Sequence, residues 1–86
     1  MTSKLSREEV ADVLRDIAEK VLKISPERFT AGALLKDDLE LDSIDMFDIL
    51  AHAEDRLSQR FEGDLFRSVK TVDEFVDRLY ELYSRP

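Results

Sequence analysis

The sequence predicts an all-α fold, a small four-helix bundle with three main helices and one short helix third in order. Three observations carry that expectation. Apolar residues recur at three- and four-residue steps in three separate stretches. Two stretches open on a Ser/Thr-x-x-Glu capping spacing, and the third opens on an Asp-Ser pair suited to a helix start. The chain of 86 residues contains only two glycines and two prolines, too few for the tight turns of a many-stranded sandwich.

The first helix is expected over about 6–23. Ser6 and Glu9 have the capping-box spacing, and Val10, Val13, Leu14, Ile17, Val21 and Leu22 form one apolar stripe behind them. Arg7, Glu8, Asp12, Arg15, Asp16 and Glu19 fall on the other side. Pro26 marks the end of this helix or a turn just after it, because Ser25 before it is biased away from helix. A long connection follows over 25–42. It carries Phe29, Ala33, Leu34, Leu35, Leu39 and Leu41, more apolar groups than a solvated loop needs, so it is expected to lie on the core. A short helical turn is expected near Thr30 to Leu35.

The second helix is expected over 43–59, capped by Asp42 or Ser43. Its stripe is read as Ile44, Phe47, Leu50, Ala51 and Leu57, with Met46 and Ile49 nearby. Gly63 breaks the pattern, and Asp64 is placed to cap one short turn over 64–68. Thr71 and Glu74 repeat the capping-box spacing and open a last helix over 71–83. Val72, Phe75, Val76, Leu79 and Leu82 form its buried stripe, with Tyr80 and Tyr83 at the edge. With neither repeats nor linkers, residues 1–86 are expected to form a single domain with one modest core.

The net charge of −7, from 20 acidic and 13 basic residues, disfavours nucleic acid and anionic membrane surfaces as partners. It favours proteins with basic patches. The chain has no cysteine, so thiol chemistry requires a sulfur brought in by a cofactor. No apolar run follows Met1 to Ser6, so a signal peptide is not expected, and a cytoplasmic location is. No stretch approaches the roughly 20 apolar residues of a membrane span.

Asp38-Leu39-Glu40-Leu41-Asp42-Ser43-Ile44-Asp45 is the informative segment. It places a serine at a helix start, directly after an aspartate. From Asp37 to Asp55 there are eight acidic residues and no Lys or Arg in 19 positions. The helix dipole accounts for Asp42 and Asp45, but not for Glu54 and Asp55 near the other end. Asp38, Glu40 and Asp42 also have the one-three-five spacing of a calcium loop, but Ser43 and Ile49 stand where that loop needs glycine and glutamate. His52 is the one histidine, mid-helix among acids, and reads as solvated. It has no second histidine or cysteine with which to form a zinc site or a dyad.

The Asp42-Ser43-Ile44-Asp45 stretch resembles the Asp-Ser-Leu-Asp signature of the acyl carrier protein family. The acidic helix behind it and Thr71-Val72-Asp73 further on extend the likeness, which runs over most of the chain without an insertion. The resemblance implies an acyl-carrier type of helical bundle and a protein that is not itself an enzyme. It implies 4'-phosphopantetheine, taken from coenzyme A, on Ser43, with Asp42 flanking. It further implies docking of partner enzymes on Ile44, Asp45, Met46, Asp48, Glu54 and Asp55. An acyl pocket is expected among Phe47, Leu50, Val69 and Phe75. The implied partners are a phosphopantetheinyl transferase and acyl-transferring or chain-extending enzymes with basic docking patches. A monomer is expected, because no exposed helix stripe is left over for self-association. Fatty-acid, polyketide and specialised lipid synthesis fit alike. An aminoacyl or peptidyl carrier, or a helical adaptor without the arm, are the alternative readings. Two departures stand out. Glu40 occupies a position where the family often has glycine, which suggests a stiffer loop. Phe61-Glu62-Gly63 replaces the frequent Ile-Pro, which suggests a shorter or reoriented third helix.

Overall fold

The computed structural model describes residues 4–61 and 65–85. Three α-helices form along the three apolar stretches: α1 over Arg7–Leu22, α2 over Ser43–Leu57 and α3 over Val72–Ser84. A single 3-10 turn, Leu65–Ser68, lies between α2 and α3 where a short third helix was expected. Its proposed breaker Gly63 and cap Asp64 lie outside the described residues. The described residues contain no strand, only an isolated antiparallel bridge between Leu34 and Thr71.

Each main helix starts with a capping box. In α1 the Ser6 hydroxyl accepts from the Glu9 N–H, and the Glu9 carboxylate accepts from the Ser6 N–H. Thr71 and Glu74 do the same for α3. These side chains satisfy N–H groups that a helix leaves unpaired at its start. Helix α1 ends at Lys23, which takes a left-handed conformation with φ of 60°. The Ile24 N–H then reaches back to the Ala18 carbonyl at 3.1 Å, and the Ile24 side chain is buried.

α1 packs against both α2 and α3. It contributes Val10, Leu14, Ile17 and Ala18 to the core, with Val13, Val21 and Leu22 partly buried beside them. Each fully buried Leu, Ile or Phe side chain contributes about 1.5–3 kcal/mol relative to exposure. The core face of α2 differs from the expected one. Met46, Ile49, Leu50, Ala53 and Leu57 are buried, whereas Ile44 is 70% and Phe47 50% exposed and Ala51 is exposed. Both sets obey the helical period, but the buried set is the longer and denser one. In α3 the buried line is Val72, Phe75, Val76, Leu79 and Tyr83. Tyr83 takes the place expected for Leu82, which is only partly buried. Its ring packs inward, and its hydroxyl accepts from the Leu5 N–H at 2.9 Å.

The 25–42 connection lies on the core as expected. Phe29, Ala33, Leu35, Leu39 and Leu41 are buried, while Leu34 stays 37% exposed. Near Thr30 to Leu35 the chain makes one hydrogen-bonded turn, with the Ala33 N–H donating to the Thr30 carbonyl at 3.0 Å, and the backbone beside it pairs with the start of α3. The Leu35 N–H donates to the Lys70 carbonyl, the Val72 N–H to the Ala33 carbonyl and the Asp73 N–H to the Ala31 carbonyl, at 2.8, 3.0 and 2.9 Å. The first N–H groups of α3 thus find acceptors in the loop, and the loop gains a fixed position beside residues 70–73.

Exposed ion pairs join the helices. Arg7 bridges Asp73 and Asp77 on α3, and Arg56 on α2 reaches Asp16 on α1 at 3.0 Å. Hydrogen bonds from Arg56 and then Lys20 hold the Asp16 carboxyl below the usual aspartate range. The folded value is depressed, so the contribution of Asp16 to stability is full above its unfolded value and fades as pH falls through the folded one. Arg56→Gln is expected to raise the midpoint of the Asp16 carboxyl titration, read from its side-chain carbon shift.

Candidate functional site: the start of α2 and the cavity beside it

The first turn of α2 settles which residue caps it. Asp42 has extended backbone, with φ −102° and ψ −176°. Its Oδ1 accepts from the Asp45 N–H at 2.8 Å, and Asp45 Oδ2 accepts from the Asp42 N–H at 3.3 Å. The Asp42 carbonyl accepts from the Met46 N–H at 3.0 Å. Ser43 is therefore the first helical residue, exposed, and its hydroxyl is not needed as a cap. Among the described residues no group accepts from the N–H of Ser43 or Ile44. A negative group on the Ser43 oxygen would meet those donors and the positive end of the helix dipole. Asp42→Ala is expected to destabilise the protein by about 1 kcal/mol, the usual worth of an N-cap, in a denaturant titration.

A cavity of about 640 Å³ opens beside Ser43. Leu34, Leu35, Leu41, Met46 and Val69 supply apolar lining, and Lys36, Asp37, Asp42 and Lys70 supply the charged part. The loop geometry makes this space. The Leu41 N–H donates to the Leu35 carbonyl at 2.9 Å, and the Asp38 carboxylate accepts from the Leu34 N–H at 2.8 Å. Glu40 sits in the left-handed region at φ 56°, which turns the chain so that Leu39 and Leu41 are both buried. A non-glycine residue there costs roughly 1–2 kcal/mol of backbone energy, partly offset by the extra unfolded-state entropy a glycine would bring. Glu40→Gly is accordingly expected to stabilise the fold by up to about 1 kcal/mol, seen as a higher denaturation midpoint.

The expected docking residues separate. Ile44, Asp48 and Asp55 are exposed, and Asp45 is half-buried with its carboxylate in the cap. Met46 is a correction: at 4% exposure it belongs to the core face and lines the cavity. Glu54 is half-buried, and its Oε2 accepts from the Phe61 N–H at 2.8 Å, tying down the chain after α2. The expected acyl pocket separates as well. Val69 lines the cavity, but Leu50 and Phe75 are embedded in the core at 3% and 0% exposure and do not. Phe47 stands on the outer face of α2, half exposed. The lining residues that sequence reading missed, Leu34, Leu35 and Leu41, were legible only as loop residues too apolar for solvent. His52 is exposed.

An exposed serine at the first position of a capped helix, beside a cavity with an apolar wall, is suited to presenting an attached group. The family model described as the phosphopantetheine attachment site matches residues 12–79. The chain is 30% identical over 78 residues to acyl carrier protein 2 of Ralstonia nicotianae, covering 91% of this chain and 96% of that one. It is 32% identical over 73 residues to an acyl carrier protein of Acidothermus cellulolyticus, covering 85% and 87%. It is 27% identical over 78 residues to the meromycolate extension acyl carrier protein of Mycobacterium leprae, covering 91% and 68%.

The chain thus falls in the class of phosphopantetheine-bearing proteins. It belongs to the acyl carrier protein family, carriers of acyl groups rather than enzymes. That role implies a phosphopantetheinyl transferase and acyl-handling enzymes as partners. Among the described residues no helix is long and apolar enough to cross a membrane.

Proposed function

We propose that Ser43 is the residue that carries the phosphopantetheine arm, and that the chain presents acyl thioesters to enzymes of fatty-acid, polyketide or specialised lipid synthesis. The observation that supports this most is the first turn of α2, where Asp42 does the capping and leaves the Ser43 hydroxyl exposed. The arm supplies a thiol, which the cysteine-free chain lacks, and its thioester activates the acyl group for transfer. The acyl chain is sheltered by Leu34, Leu35, Leu41, Met46 and Val69, replacing the pocket expected around Phe47, Leu50 and Phe75. The Leu65–Ser68 turn takes the part of the short third helix in a four-helix bundle of acyl-carrier type.

Partner enzymes dock on the face of α2 opposite the core. Successive residues turn by about 100° along a helix, which puts Ile44, Phe47, Asp48, Ala51 and Asp55 on the side away from Met46, Ile49, Leu50, Ala53 and Leu57. The face combines exposed apolar groups with acids. The acids steer basic patches of partners and set orientation, and the small apolar area keeps the contact brief. The carrier works as a cytoplasmic monomer whose exposed stripe is reserved for these transient contacts.

The test is intact mass after incubation with coenzyme A and a broad-specificity phosphopantetheinyl transferase. A gain of one phosphopantetheine per chain, mapped to the peptide containing Ser43, is expected. No gain under conditions that load another carrier would sink the proposal.

A further inference from the structure

Two cations line the Ser43 cavity, Lys36 from the loop and Lys70 from the approach to α3. They are far apart in sequence but close in space, because the Leu35 N–H donates to the Lys70 carbonyl at 2.8 Å and Leu34 pairs with Thr71. Their positions are therefore fixed relative to each other by backbone pairing. Neither lysine makes an ion pair with a described residue, although Asp37 and Asp42 line the same cavity. Lys4, Lys23 and Arg28 likewise form no ion pair with a described residue, so it is their place at the Ser43 cavity that distinguishes Lys36 and Lys70.

Lysines here work against the docking role of this end of the molecule. From Asp37 to Asp55 the chain excludes Lys and Arg, and a basic partner patch is repelled by positive charge beside Ser43. The one new anion that the carrier role brings to this spot is the phosphodiester of the arm. We propose that Lys36 and Lys70 are positioning residues that hold this phosphodiester at the cavity and lay the near part of the arm along the apolar lining. The inference rests on Ser43 as the attachment point. Lysine suits the task because its ammonium is a compact charge on a flexible stem. A lysine stem also packs readily along apolar surface, and Val69 and Leu34 line the same cavity.

The experiment follows backbone amide shifts of the ¹⁵N-labelled protein as the transferase converts it to the arm-bearing form. In the native chain, conversion is expected to move the amides of residues 35–36 and 69–70 as well as those of Ser43 to Asp45. Raising salt from about 0.05 M to about 0.5 M shortens the screening length and is expected to shrink the distant shifts. In the Lys36→Gln, Lys70→Gln double variant the shifts at 35–36 and 69–70 are expected to fall severalfold, with those at Ser43 to Asp45 retained. Lys36→Arg, Lys70→Arg is expected to restore them. Both lysines are exposed, and an unchanged α2 amide pattern before conversion reports that the variants are folded. Shifts confined to Ser43 to Asp45 in the native protein, or an unchanged distant pattern in the double Gln variant, overturn the lysine assignment alone. Failure of the native chain to load overturns the attachment reading and this inference together.

Discussion

Ser43→Ala is expected to lose the phosphopantetheine mass gain completely while the helical bundle stays folded. The separation of the two outcomes follows from the first turn of α2. Were Ser43 the N-cap, removing its hydroxyl would cost about 1 kcal/mol and blur loss of attachment with loss of structure. Asp42 holds that role instead, with its carboxylate on the Asp45 N–H. Ser43 is exposed at the first helical position, where alanine is a good helix former. The variant should match the native denaturation midpoint to within about 0.5 kcal/mol. Its intact mass after exposure to coenzyme A and transferase should not change. A variant that still gains one phosphopantetheine would place the attachment elsewhere. Asp42→Ala is the complementary case, since it keeps the hydroxyl and weakens the cap.

Phe75→Ala is expected to destabilise the protein by about 3–5 kcal/mol, measured by denaturant unfolding. Phe75 is fully buried on the inner line of α3, and no small neighbour shift fills the space of a lost ring. Small domains have total stabilities of roughly 5–15 kcal/mol, so this one change takes a large share. Phe47→Ala is expected to cost less than about 1 kcal/mol, because half of that side chain already faces water. The contrast tests the corrected face of α2 directly. If Phe47→Ala proved as damaging as Phe75→Ala, the Ile44, Phe47, Ala51 stripe would be the inner one after all. Phe47→Ala is instead expected to slow loading by the transferase, since the proposed docking face loses its largest apolar group.

Much of the architecture is a local property and is legible in the chain. Ser6 with Glu9 and Thr71 with Glu74 form capping boxes at the positions their spacing predicts, because a cap needs only side chains three residues apart. The three main helices fall within two residues of their expected bounds. The acidic run and the missing cysteine are likewise facts of composition. The signature around Ser43 is contiguous, so the family resemblance needed no tertiary information.

The tertiary structure decided what depends on residues distant in sequence. The period of α2 permits two apolar stripes, one through Ile44, Phe47 and Ala51 and one through Met46, Ile49, Leu50, Ala53 and Leu57. Burial is a relation between a helix and its neighbours, and only packing against α1 and the loop selects the second stripe. That choice moves Met46 from the docking surface to the cavity and Phe47 from the cavity to the surface. The connection at residues 31–35 pairs with residues 70–73 for the same reason, since no spacing rule foretells which distant backbone will accept a hydrogen bond. The same pairing places Lys36 and Lys70 at one cavity with Ser43. The sequence alone determined the helical class, the caps of α1 and α3 and the acidic run, because each rests on neighbours along the chain. The proposed docking face exists only once α2 packs on α1, and the cavity and the cations beside Ser43 only once the loop closes onto residues 70–73.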